Sequence, residues 1–195
     1  MSALPPTRDA ADYACTYAAV LGWPVARGHR YRPRSGCTCL DGSTAEICPT
    51  PGAHPIDSSV VVVSSPDRLQ AEFAAAPGAG VIAPTLQFDA VVLPRPVAMF
   101  ALVLAEREGP PVPCVNDRHR SALLVAPGTA RAVLSTFSRT VVKVRSGPDQ
   151  WVALPPSHGT RWDTPPWDEM TGEPVTLPDA AALSQPLTLA IKGVR

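Results

Sequence analysis

Three of the five cysteines and one of the four histidines fall between Gly36 and Pro55, spaced Cys37-x-Cys39-x8-Cys48-x5-His54. Soft thiolates joined by one imidazole are the donor set of a tetrahedral Zn²⁺ site of the Cys₃His type. Four protein ligands fill the tetrahedron and leave no position for a reactive water, so the expectation is a structural zinc. The Cys-x-Cys pair is tighter than the usual Cys-x2-Cys and requires the backbone to turn at Gly36 or Gly42. Asp41, Gly42, Ser43, Thr44, Pro49, Pro51 and Gly52 are turn formers, which predicts a metal-stapled loop over 36–55 rather than a helix or strand. Read from the residues alone, disulfides or unconnected thiols are the alternatives, and an odd cysteine count fits a chain kept reduced.

A second group with chemical potential precedes that loop. Arg27, Arg30, Arg32 and Arg34 surround His29 and Tyr31, so cations that could contact phosphates lie beside a ring on which a base could stack. A solvated loop leading into the Cys/His segment accounts for the same residues. Lys+Arg and Asp+Glu both number 17, which gives no net charge. That balance excludes the strongly basic footprint of a protein that holds duplex nucleic acid unaided, so any such binding is expected to be local and weak. No charged leader precedes an apolar core, and the longest apolar run, Val97 to Ala105, is far too short to span a bilayer. The expectation is a cytoplasmic protein with no membrane partner.

The elements that must hold these groups read as a single domain over 1–195. Residues 8–21 carry an amphipathic helical pattern, with Ala11, Ala14, Cys15, Ala18, Ala19 and Leu21 inward and Gly22 as its stop. Cys15 is read as a small core residue. Gly22-Trp23-Pro24-Val25 turns into a short strand. After the Cys/His loop, Val60 to Val63 predicts a strand, and Ser64 or Ser65 caps a helix that Pro66 opens and that runs to about Ala75. Val81 to Ala83 and Phe88 to Leu93 read as two strands joined by a turn at Pro84 to Gln87. Pro96 to Glu108 reads as a helix with Val97, Phe100, Ala101, Leu104 and Ala105 inward. Three more strands are expected at Leu123 to Ala126, Val141 to Val144 and Trp151 to Leu154, with a helix from Thr129 to Phe137. From Pro155 the Pro- and Trp-rich chain is expected to wrap over the sheet, with a last helix near Leu183. The fold class predicted is α+β, an α/β two-layer arrangement.

The landmarks Gly22-Trp23-Pro24-Val25, Gly52-Ala53-His54-Pro55, Ser64-Ser65-Pro66-Asp67, Phe88-Asp89 and Ala153-Leu154-Pro155-Pro156-Ser157 occur in an order that resembles the bifunctional DNA primase/polymerase N-terminal (prim-pol) domains of the archaeo-eukaryotic primase superfamily. The resemblance runs from about Ala10 to Trp167 and is greatest to short single-domain actinobacterial versions. It implies a primase-type fold resembling an RNA-recognition motif, and a zinc loop where some members carry one.

Its catalytic motifs depart from that pattern. Polymerising relatives hold two divalent ions with Asp-x-Asp-like carboxylates. Here Asp89 matches one acidic position, Val92 stands where the next aspartate falls, and Lys143 stands in the acidic place ahead of Arg145. His119, in Asn116-Asp117-Arg118-His119-Arg120, is the nearest match to the family's phosphate-contacting histidine, with Arg118 and Arg145 as further phosphate candidates. Ala53 replaces a frequent lysine, and Pro84-Thr85 replaces Thr-Gly. The resemblance therefore implies a vestigial Asp89 in a catalytically inactive, zinc-containing protein that acts as a regulatory module or as a binding module for nucleotide or single-stranded nucleic acid, in which Lys143 could pair with Asp89. The alternatives are an active primase/polymerase that uses Mg²⁺ or Mn²⁺ through Asp89 with Asp57 or Asp149, and a protein-interaction domain that binds no nucleotide.

Overall fold

The structure is a computed structural model, and it describes residues 9–40, 48–57 and 62–193. Helices and antiparallel strands alternate in an α+β fold. The chain divides into two compact units, Met1–Pro84 with Trp151–Arg161, and Thr85–Gln150 with Trp162–Arg195. No described helix is long and apolar enough to cross a membrane.

In the first unit, α1 (Ala10–Ala19) starts where the Asp9 carboxylate accepts the Ala11 amide at 2.9 Å. That bond satisfies one of the donors a helix N-terminus leaves open. The chain leaves α1 through Gly22 at φ 66°, a conformation that costs glycine little. The inward face is Ala10, Ala11, Ala14 and Tyr17 rather than the stripe through Cys15, Ala18 and Ala19, because the Tyr17 hydroxyl reaches in to the Pro155 carbonyl at 2.6 Å. Strand β1 (Ala26–Arg32) follows and pairs antiparallel with β2 (Gly36–Cys37) and with the start of β3 (Ala79–Pro94). Val25 and Val63 exchange both backbone hydrogen bonds; Val60 and Val61 of the expected strand lie outside the described residues. Helix α2 (Pro66–Ala74) has the expected bounds, with proline in its first turn and Leu69 and Phe73 buried, and it packs on α1.

In the second unit, the end of β3 pairs with β5 (Arg120–Val125) in the register Asp89↔Val125 to Pro94↔Arg120, and β5 pairs with β4 (Cys114–Asn116). Helices α3 (Arg95–Glu108) and α5 (Ser184–Gly193) cover the face that carries Val91, Leu93, Leu123 and Val125. The short helix α4 (Ala130–Val133), β6 (Lys143–Leu154) and β7 (Arg161–Thr164) complete the set.

Several expected elements differ. Val81–Ala83 and Phe88–Leu93 belong to one strand of 16 residues, since Thr85 spends its side chain on the Gly147 carbonyl and supports extended backbone where a turn was expected. Val141–Val144 and Trp151–Leu154 likewise give way to the single β6, and Gly147 at φ 96° lies within it. The helix expected over Thr129–Phe137 is regular only at Ala130–Val133. Phe100 points outward at 41% exposure, because Ala98, Ala101 and Leu102 set the buried stripe of α3.

Candidate metal centre

The Cys/His loop closes on itself. The ligand atoms of Cys37, Cys39, Cys48 and His54 all lie within 4.8 Å of one another and form the group able to hold a metal ion among the described residues. The His54 Nε2 lies 3.3 Å from the Cys37 sulfur and 3.5 Å from the Cys48 sulfur. Metal bonds of ~2.3 Å to sulfur and ~2.0 Å to nitrogen give a tetrahedron with S···N edges of about 3.5 Å, so these separations fit one shared ion. All five cysteines are free thiols, so no disulfide competes for the three in the loop.

Neighbouring groups prepare the donors. The His54 Nδ1 bonds the Pro55 carbonyl at 3.0 Å, which requires the proton on Nδ1 and presents Nε2 as the ligand lone pair. Burial alone would raise the Cys37 thiol, but the amides of Cys39 and Gly52, the Cys39 thiol and His54 bond its sulfur and bring it down to about 7. Cys39 moves the opposite way, to about 12, through burial and through sharing its proton with the Cys37 and Cys48 sulfurs. Thiolate character therefore starts at Cys37. The Gly52 amide that bonds Cys37 at 3.2 Å belongs to a residue at φ 69°, where an added Cβ would meet the Tyr31 nitrogen at 2.8 Å. Glycine is required there both for its backbone and for its lack of a side chain.

The loop is built against β1 and β3. The His29 amide donates to the His54 carbonyl at 2.9 Å, and their rings lie 4.6 Å apart. The Ser157 hydroxyl accepts from the Val81 amide and donates to the Val81 carbonyl, at 2.8 and 3.1 Å. This holds the Pro155–His158 segment in place, so that His158 stacks on Tyr31 at 3.9 Å. The expected turn formers Asp41 to Thr44 lie outside the described residues.

Three of the four arginines stand on a strand rather than in the solvated loop that was the alternative reading, and Arg34 follows it. Arg27, Arg30 and Arg32 belong to β1, with a register shift between Arg27 and Arg30. Arg27 donates to the Glu72 carbonyl at 3.5 Å, while Arg32 and Arg34 are exposed. Tyr31 meets His158 on the strand, a partner that only the Pro-Pro-Ser-His run could have suggested.

In the second unit, Asp89 is 1% exposed and its Oδ2 accepts the Ala130 amide at 2.9 Å. Lys143 is exposed on β6 and makes no ion pair with Asp89. Asp57 and Asp149 are exposed. Arg118 and His119 lie in an exposed turn whose Asp117 Oδ1 accepts the amides of His119 and Arg120, at 2.7 and 2.6 Å. Half-buried Arg145 is held below the usual arginine range by burial and then by the Arg120 charge, against the pull of Asp117, which places it near this turn. Sequence reading missed Thr38, whose hydroxyl bonds both the Arg30 amide and the His29 ring, although its place between two ligand cysteines was the available signal.

Comparison of the chain with models of known protein families, with curated proteins and with solved structures finds no match.

Proposed function

We propose that the chain is a zinc-stapled, catalytically silent prim-pol-like module that binds single-stranded nucleic acid or nucleotide weakly. Zinc is the assigned ion because three thiolates and an imidazole suit it, whereas Mg²⁺ and Mn²⁺ favour oxygen donors. Its four protein ligands give it the role of a staple. The observation that carries the silent reading is the state of Asp89: its carboxylate is buried and committed to the Ala130 amide. Phosphoryl transfer of the polymerase type needs carboxylates open to two ions and to the triphosphate between them. A carboxylate that spends its charge on a backbone amide is a structural residue. Exposed Arg32 and Arg34, close in sequence to Tyr31, and the Tyr31–His158 stack supply the cations and rings for weak binding of a single strand.

The test is template-directed nucleotide incorporation with Mg²⁺ and with Mn²⁺, beside the Asp89→Ala variant. No incorporation by the parent is expected. Incorporation that the variant lacks would replace this reading with an active primase/polymerase, and absence of both nucleotide and strand binding would replace it with a protein-interaction domain.

A further inference from the structure

Thr38 occupies the single position between two metal-ligand cysteines, and its side chain is fully engaged. Its hydroxyl accepts the Arg30 amide at 3.1 Å and shares a hydrogen bond with the His29 Nδ1 at 3.0 Å. His29 in turn lies against the His54 ring, and its amide donates to the His54 carbonyl. One hydroxyl thus links β1 to the Cys-x-Cys turn on one side and, through His29, to the histidine ligand on the other.

We infer that Thr38 and His29 are positioning residues for the metal and set its affinity, an inference that rests on the metal reading above. A Cys-x-Cys pair leaves one residue to direct two sulfurs toward the same ion, so a rotation of the Thr38 backbone swings one sulfur away from the other. The Cys39 amide must also stay aimed at the Cys37 sulfur, where it acts with the Gly52 amide. Anchoring Thr38 to the strand fixes that aim before the ion arrives. Outer partners of this kind hold ligands in the binding geometry, so that little ordering remains to be done on binding.

The experiment measures Zn²⁺ affinity by competition with a chromophoric chelator for the parent, Thr38→Val, Thr38→Ser and His29→Phe. Valine keeps the shape and removes both hydrogen bonds, while serine keeps the hydroxyl. Thr38→Val is expected to bind Zn²⁺ about 10–100-fold more weakly, with Thr38→Ser within about threefold of the parent and His29→Phe weakened in the same direction. Co²⁺ spectra report ligand geometry independently of affinity, and the tetrahedral bands of the parent should weaken in Thr38→Val and return in Thr38→Ser. Unchanged affinity in Thr38→Val, or an equal loss in Thr38→Ser, overturns the inference and leaves the metal site standing. A parent that takes up no Zn²⁺ overturns both. If Thr38→Val does not fold, Thr38→Ser and His29→Phe decide the question.

Discussion

Cys114 is fully buried on β4, and its thiol is pushed up to about 12, first by burial and then by the carboxylates of Asp163 and Glu106. Cys37 is the opposite case, drawn down because amides point at its sulfur. The folded pKa of Cys114 lies above its ordinary value of 9.0, so the native state keeps a proton that the unfolded chain releases in alkali. Its contribution to stability is complete below that value and is lost as pH rises toward 12. The stability advantage of the parent over Cys114→Ala should therefore narrow from pH 9 upward, as measured by denaturant unfolding at a series of pH values. In native protein the Cys114 thiol should also resist a disulfide reagent until denaturant is added. Tyr17→Phe removes the buried hydroxyl that serves the Pro155 carbonyl and leaves that acceptor without this donor. A loss of about 1–3 kcal/mol is expected in urea unfolding. The cluster of Cys37, Cys39, Cys48 and His54 was legible because donor chemistry is written in residue type. Thr38 and Ser157 were not, because a hydroxyl acquires its role only from the backbone that the fold brings to it.

At the scale of elements, α1 and α2 were readable because a proline opens α2 and a glycine follows each helix end, although the Ser65 side chain makes no capping bond. Strand lengths were not. Pro84 and Thr85 look like a turn in sequence, yet side-chain bonds from Thr85 to the carbonyls of Gly147 and Gln150 keep β3 extended through them. Strands β4 and β7 escaped notice because three and four residues give too short a run for alternation to register. The metal loop is the element most open to test. Its donors must lose protons to bind, so acid competes with the ion, and bound zinc should be released progressively as pH falls below neutrality. Elemental analysis after dialysis across a pH series measures this directly. Chelation should raise amide exchange at Gly36–Cys39 and Gly52–His54 while α1 and α2 stay protected, because those helices rest on their own packing. Gly52→Ala should lose both metal and stability, since its Cβ cannot fit against Tyr31. Paired Zn²⁺ titration and thermal unfolding read the two effects.

Across the whole molecule the charges cancel, with 17 of each sign, so a nucleic-acid strand can gain only from a local cluster. With Arg27 turned toward the Glu72 carbonyl, three arginines of the first cluster remain to release counterions. The slope of log K against log salt for a single strand is expected to be no steeper than about −2, and Arg32→Ala with Arg34→Ala should flatten it. Fluorescence anisotropy with a labelled oligonucleotide over a salt series checks both statements, and tight binding that persists at high salt would contradict them. The α+β class was legible from the mixture of patterns, whereas the division into two units was hidden because neither is continuous in sequence. The first unit is completed by Trp151–Arg161, which brings the Pro155 carbonyl, the Ser157 hydroxyl and the His158 ring to a body whose first segment ended at Pro84. During synthesis on the ribosome, the metal ligands emerge long before the residues that hold β3 and Tyr31 beside them. A chain stalled before Trp151 would expose its thiols before Trp151–Arg161 had been synthesised. Zinc taken up at that stage would serve the nascent chain as a placeholder for contacts still to be translated.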